Sequence, residues 1–267
     1  MRAAVYGLSS IIGLAAFFYP FFLPVLDATR NEGRSGESPL LLSLLIGMCL
    51  LAVLLEVQVQ AAGAKLIALI GILVSINAIL RFVEVAIPGP GGFSPIFFLI
   101  VVTGYVYGGG FGFLMGALTL LASALITGGI GPWLPYQMYT AGWVGLAAPL
   151  CRPLVRLMRG EGKWPEVAVL AVYGGVCGLL FGLIINLWFW PFAIGPTEQH
   201  WQAGLSWLVG VKRYLVFYAA TSLFWDLMRL GGNVLLTLAF GLPTLKALRR
   251  FRKRFAFSYQ PASVGVE

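Results

Sequence analysis

Seven polar side chains interrupt the long apolar runs of this 267-residue chain: Asn77, Arg81, Gln137, Asn186, Asp226, Arg229 and Asn233. Among apolar neighbours an ionisable group survives where it meets a counter-charge, a cavity or a ligand. Asp226 and Arg229 stand three residues apart, which places them on one helix face and predicts an ion pair. Such a pair serves either as a brace between helices or as part of a binding surface. Arg81 has Glu84 one turn further on, a position that suits a snorkelling interfacial arginine as well as a ligand contact. Asn186 precedes Trp188 and Trp190, which fit an interfacial aromatic belt or a stacking surface. None of these groups makes a catalytic set. The single histidine, His200, lies in a loop, and Asp226 is the one acid clearly inside an apolar run. The three cysteines (Cys49, Cys151, Cys177) form no CxxC pair, so neither a zinc site nor a disulfide framework is expected.

A second chemical signal is the stretch "GGIGPWLPYQM", residues 128–138. Its glycines permit a sharp turn, and Pro132 and Pro135 stiffen it and favour a helix start at Tyr136. Trp133 and Tyr136 then offer aromatic surface, and Gln137 an amide, at a helix N-terminus. Together they make either a wall and floor for a small molecule or a helix cap within an aromatic belt.

The elements that must hold these residues are membrane helices. Hydrophobic residues make up 59% of the chain and charged ones 10%, against about 25% in soluble domains. Mean hydropathy is +0.89. Alternating strand-like segments are absent, so the spans are helical. About eight spans follow one another: residues 4–26, 39–57, 64–83, 95–109, 111–127, 136–158, 165–190 and 212–240. The fourth and fifth almost touch at Gly108–Gly110. The first is too long for a signal-peptide core and reads as a retained helix.

With the N-terminus inside, twelve of the 18 basic residues fall on the cytoplasmic side: Arg2, Lys65, Arg152, Arg156, Arg159, Lys163, Lys246, Arg249, Arg250, Arg252, Lys253 and Arg254. That asymmetry predicts an even number of spans with both termini cytoplasmic. The net charge of +8 therefore reads as topology and contact with anionic lipid, and no nucleic-acid partner is expected. The three elaborated loops, around residues 83–94, 128–137 and 191–211, all fall outside, as expected of a chain that captures something there. The three-domain organisation expected is 1–60, two additional helices; 61–245, the membrane core; and 246–267, a basic tail.

Small residues recur at four-residue spacing: Ala64/Ala68, Gly112/Gly116 and Gly174/Gly178/Gly182. Such stripes let helix backbones approach closely. For the glycines, packing within the chain is the favoured reading. For Ala64 and Ala68, near a cytoplasmic end, a partner protein is an alternative. "GGGFGFLMG" (108–116) lacks the GxGxxG spacing and a preceding strand, and no GxxxxGK[ST] occurs, so no P-loop nucleotide site is expected.

Three segments carry a family resemblance: "AKLIALIGILVSINAILRF", "GGFSPIFFLIVVTGYVYGGGFGFLMGALTLLASALITGGIGPWLPYQMYTAGWVGLAAPL" and "FWDLMRLGGNVLLTLAFGLPTLKALRRF". The chain resembles the substrate-binding S component of an energy-coupling-factor (ECF) vitamin transporter over about Ala61 to Phe255. The resemblance implies an all-α, six-helix membrane core, here with two extra N-terminal helices. It implies high-affinity capture of a vitamin from outside, with no catalysis and no cofactor of its own. It also implies docking on a coupling subunit that carries two ATPases, with toppling in the membrane to release substrate inward. The quoted loop most resembles members assigned to cobalamin or corrinoid uptake; thiamin-, riboflavin- and queuosine-type substrates stay open. Ala64 and Ala68 match the alanine pattern that meets the coupling subunit. The family's site, under its outer loops, maps to Arg81, Glu84, Phe93, Trp133, Tyr136, Gln137, Asn186, Trp190 and Trp201. The competing classes are a stand-alone secondary transporter or channel, which would be expected to carry repeats, and an intramembrane enzyme. The setting implied is a prokaryotic cell membrane.

Overall fold

A computed structural model of the chain describes residues 2–26, 63–86, 94–193, 195–202 and 204–255. The expected second span (39–57) and Phe93 lie outside the described residues, as does the side chain of Ala64. The described residues are helical with no strand. The helices are α1 (Arg2–Leu26), α2 (Gly63–Ala86), α3 (Ile96–Tyr107), α4 (Gly109–Thr127), α5 (Leu134–Ala147), α6 (Cys151–Leu157), α7 (Trp164–Phe189), α8 (Trp207–Thr221) and α9 (Leu223–Phe255). Among the described residues four stretches are long and apolar enough to cross a membrane: Lys65–Glu84, Gly109–Thr127, Trp164–Phe192 and Leu223–Arg254. Their outward faces carry Ile72, Ile79, Val172 and Leu235, the apolar-out pattern that suits lipid rather than water.

α3 sits at the centre. Every residue from Ile96 to Val106 is buried, as a helix that is apolar all round must be. Its 12 residues span only ~18 Å, well short of the ~30 Å hydrocarbon core. One of its ends must therefore stop inside the bundle, and this property creates the candidate site.

Glycine sets the tightest seam. At Gly112 and Gly116 of α4 an added Cβ would lie 2.3 Å from the Gly145 carbonyl oxygen and 2.2 Å from that of Ala141, both on the antiparallel α5. No side chain fits there. The α3–α4 turn needs Gly108, whose φ of 114° lies where L-residues are strained. Both glycine stripes thus face neighbouring helices of the same chain, since Gly174, Gly178 and Gly182 of α7 lie against Thr237, Arg229 and Asp226 of α9.

Helix bounds depart from the sequence expectation in three places. The sixth span bends through a 3₁₀ turn at Ala148–Leu150 before α6. The eighth span is not one helix from Lys212. Ser222, at φ −136°, breaks it into α8 and α9, and Asn186 Nδ2 holds that break by donating to Ser222 Oγ at 2.6 Å. Residues 207–211, expected as loop, open α8. Finally, α9 runs on to Phe255 through Pro243, so the first ten residues of the expected basic tail are helical. Apolar periodicity alone does not show a one-residue break, nor that lysine and arginine extend a helix beyond the bilayer.

α1 packs on α5 through a Phe17–Tyr136 edge contact at 5.1 Å and on α4 through a Tyr6–Phe113 edge contact at 5.6 Å. Its Gly13 lies beneath the Tyr139 and Trp143 rings. The first extra helix is thus a brace on the core.

Candidate functional site

Polar side chains gather where α3 ends inside the bundle. Asn77 of α2 donates through Nδ2 to the Ile96 carbonyl (3.1 Å) and to Thr119 Oγ1 (3.3 Å). Asn233 of α9 donates to the Ser94 carbonyl (3.1 Å) and the Arg229 carbonyl (2.8 Å). Both amides are fully buried. Because each Nδ2 is committed to a carbonyl, the amide orientations are forced and each Oδ1 faces inward as an acceptor. Arg229 pairs with Asp226, one turn back on α9, and lays its guanidinium over the Phe181 ring at 5.3 Å. Asp226 also accepts from Tyr218 Oη of α8 at 2.9 Å. Gly182 is required opposite it: a Cβ there would overlap the Asp226 carboxylate. Arg81 and Glu84, at the end of α2, interact electrostatically with each other and with Arg229.

Five polar atoms of this cluster are buried and have no hydrogen-bond partner among the described residues: Asn77 Oδ1, Glu84 Oε2, Ser94 Oγ, Arg229 Nε and Asn233 Oδ1. The Ser94 hydroxyl lies within hydrogen-bonding reach of the Glu84 carboxylate, outside the geometry of a full bond. An unpaired buried polar group costs about 1–3 kcal/mol. Five near one helix end are exceptions to the rule that buried polar groups are paired.

Next to it is an aromatic layer. Tyr136 stacks on Trp188 at 4.3 Å between centroids. Trp190 packs on Tyr214 of α8 at 5.2 Å and donates Nε1–H to the Gln199 carbonyl at 2.7 Å. Trp201 meets Phe21 of α1 at 5.8 Å. Trp190 is thus buried in a small second core with Ala193 and with Tyr214, Phe217 and Tyr218 of α8.

The expected residues therefore divide. Arg81 and Glu84 join the polar cluster, with Asp226 and Arg229. Asn186 serves the α8–α9 break, bonding Gly182 and Ser222. Tyr136, Trp190 and Trp201 belong to the aromatic layer. Trp133 turns back over its own loop: its Nε1–H meets the Gly129 carbonyl at 3.2 Å, and its ring occupies the space a Cβ on Gly131 would need. The glycines of that stretch make room for the tryptophan. Gln137 is half-buried in the first turn of α5, where Pro135 opens the helix. Ala68 is exposed on the outward face of α2.

Sequence reasoning missed Ser94, and it placed Asn77 and Asn233 among intramembrane polar groups without assigning them to the site. A signal existed: each asparagine lies four residues from an arginine of its own helix, Asn77 from Arg81 and Asn233 from Arg229, so each pair shares one face.

Also missed was a cluster at the opposite, basic end. Glu166, wholly buried, accepts from Tyr105 Oη (2.7 Å), from the Gly162 amide (2.9 Å) and from both terminal nitrogens of Arg249. Arg152 and Arg252 donate to the Tyr105 and Val106 carbonyls that end α3. No group of three or more metal-ligating side chains occurs among the described residues.

A family model described as "ECF transporter, substrate-specific component" matches residues 65–241, well over half of the chain. No curated protein and no solved structure matches it.

Proposed function

The chain belongs to the substrate-specific components of ECF transporters, and from that premise we propose that it captures a vitamin-like micronutrient on the polar cluster at the buried end of α3. Members of this family are substrate-binding subunits of transporters rather than enzymes, and the chain is a multi-pass membrane protein. The observation that carries the reading is the five buried polar atoms without partners in one place, bordered by the aromatic layer. The basic end faces the cytoplasm, as lysine and arginine placement favours, so the cluster opens outward.

Cobalamin or a related corrinoid is the leading substrate, with Trp133, Tyr136, Trp190 and Trp201 as candidates for the aromatic cover and Gln137 as a hydrogen-bonding amide beside them. The chain takes no cofactor; ATP is hydrolysed by two partner ATPases, reached through a coupling subunit. The exposed strip of α2 around Ala68 meets that subunit. The membrane strip is flat there, since Ala68, Gly71 and Ser75 are all exposed, and packing rather than the hydrophobic effect drives helix association in lipid.

Calorimetry of the purified chain against a vitamin panel that includes cobalamin and cobinamide tests the capture reading. Saturable binding without ATP is expected. No binding at micromolar concentrations across the panel overturns it.

A further inference from the structure

The unpartnered atoms of the polar cluster are unequal in kind, and that asymmetry describes a ligand. Three are acceptors: Asn77 Oδ1, Asn233 Oδ1 and Glu84 Oε2. One, Arg229 Nε, is a donor, and Ser94 Oγ can act as either. The acceptor identity of the two amides follows from the carbonyls that their Nδ2 groups already serve. Charges in the cluster cancel, with Arg81 and Arg229 against Glu84 and Asp226. An anionic group would put its oxygens against three acceptors. A simple cation would leave the arginine nitrogen unserved. The Phe181 ring, beneath Arg229 and in edge contact with Phe97 at 4.9 Å, adds a flat apolar face.

We infer that the cluster receives an uncharged planar group in which an NH2 stands beside an acceptor atom, as in a primary carboxamide or an amino-substituted N-heterocycle. The two NH2 protons go to Glu84 Oε2 and one of the Asn oxygens, and the adjacent acceptor takes the Arg229 Nε–H. This rests on the capture reading and narrows it: whatever the whole substrate, this part of it is rich in N–H and not a carboxylate or phosphate. The physical basis is that a buried polar atom left unpaired discriminates strongly between analogues that differ by one donor.

Saturation-transfer NMR on the detergent-solubilised full chain tests it, with four probes: nicotinamide, 2-aminopyrimidine, nicotinate and pyridine. Nicotinamide or 2-aminopyrimidine should bind and nicotinate and pyridine should not; which of the two binds distinguishes a carboxamide from an amino-heterocycle. Glu84→Gln, which is isosteric but turns an acceptor into a donor, should weaken the bound probe about tenfold, with thermal unfolding run alongside to verify the fold. If that variant does not fold, the preference of the wild-type chain for nicotinamide over nicotinate decides alone. Equal or stronger binding of nicotinate overturns the inference, as does an affinity unchanged in folded Glu84→Gln. Silence from all four probes also overturns it. In that case a vitamin bound in calorimetry leaves the capture reading standing, whereas an empty panel removes both.

Discussion

The two ends of α3 are built from similar residues and finished in opposite ways. At the basic end, Glu166 has both carboxylate oxygens occupied by Tyr105, the Gly162 amide and Arg249, and arginines cap the exposed carbonyls of the helix. At the other end, Asn77, Glu84, Ser94, Arg229 and Asn233 each keep a buried polar atom without a partner among the described residues. Helix termini leave unpaired backbone groups that something must satisfy. One terminus is closed with side chains of the chain itself. The other is lined with side chains that donate to the Ser94 and Ile96 carbonyls and then present further polar atoms. A saturated cluster contributes rigidity; an unsaturated one costs stability until something outside the fold supplies the missing partners.

The comparison breaks most readily at the saturated end. Glu166→Leu strands Arg249 and removes the partner of Tyr105, so unfolding should become easier by on the order of 3 kcal/mol. This is the low end for a broken buried pair, because Arg249 keeps a third of its side chain exposed. Chemical or thermal unfolding in detergent measures it, and ligand affinity should stay within about twofold of the wild type. The pair in the loop-end cluster should give a smaller change. Asp226→Asn or Arg229→Gln alone is expected to cost about 2 kcal/mol, and the double variant less than the sum. A thermal-shift cycle reads the coupling; additive losses would mean that the two groups do not act as a pair. Smaller again is the stability effect at Glu84. Its Oε2 bonds nothing among the described residues but its charge balances Arg81 and Arg229, so Glu84→Gln should cost about 1 kcal/mol of stability while lowering ligand affinity.

Two variants sharpen the comparison with little effect on stability. Ala64→Trp with Ala68→Trp should abolish co-purification with the coupling subunit and ATP-driven uptake, with equilibrium ligand binding unchanged. Loss of binding as well would place those alanines in the chain's own core. Trp133→Ala gives the smallest expected change. The ring is 45% exposed and covers its own loop, so stability should fall by no more than about 1 kcal/mol. A loss of ligand affinity beyond about threefold would bring Trp133, and with it Gln137, to the ligand.

Much of the bundle was legible because lipid leaves the backbone few choices. A run such as 64–83 must be helical if its amides are to be satisfied in hydrocarbon, so six of the expected spans overlap single helices or a helix with a bend. The Gly112/Gly116 and Gly174/Gly178/Gly182 stripes were legible as packing surfaces, because small side chains at that spacing have one geometric consequence. Their particular partners were not: nothing local to Gly116 names Ala141. The α8–α9 break escaped because Ser222 lies within an ordinary apolar pattern and is held from another helix by Asn186.

From the sequence by itself came the solvent of the protein, its helical class, the biased placement of positive charge and the Asp226–Arg229 spacing. These follow from transfer energies and helical periodicity, which act over neighbouring residues. Tertiary structure alone decided that α3 stops short inside the bundle, that Asn77 and Asn233 meet its end from two other helices, and that Glu166 is closed by Arg249 while Glu84 is not. Satisfaction of a polar atom depends on what stands within about 3 Å of it. Residues 77, 94 and 233 approach that distance only when three helices have packed.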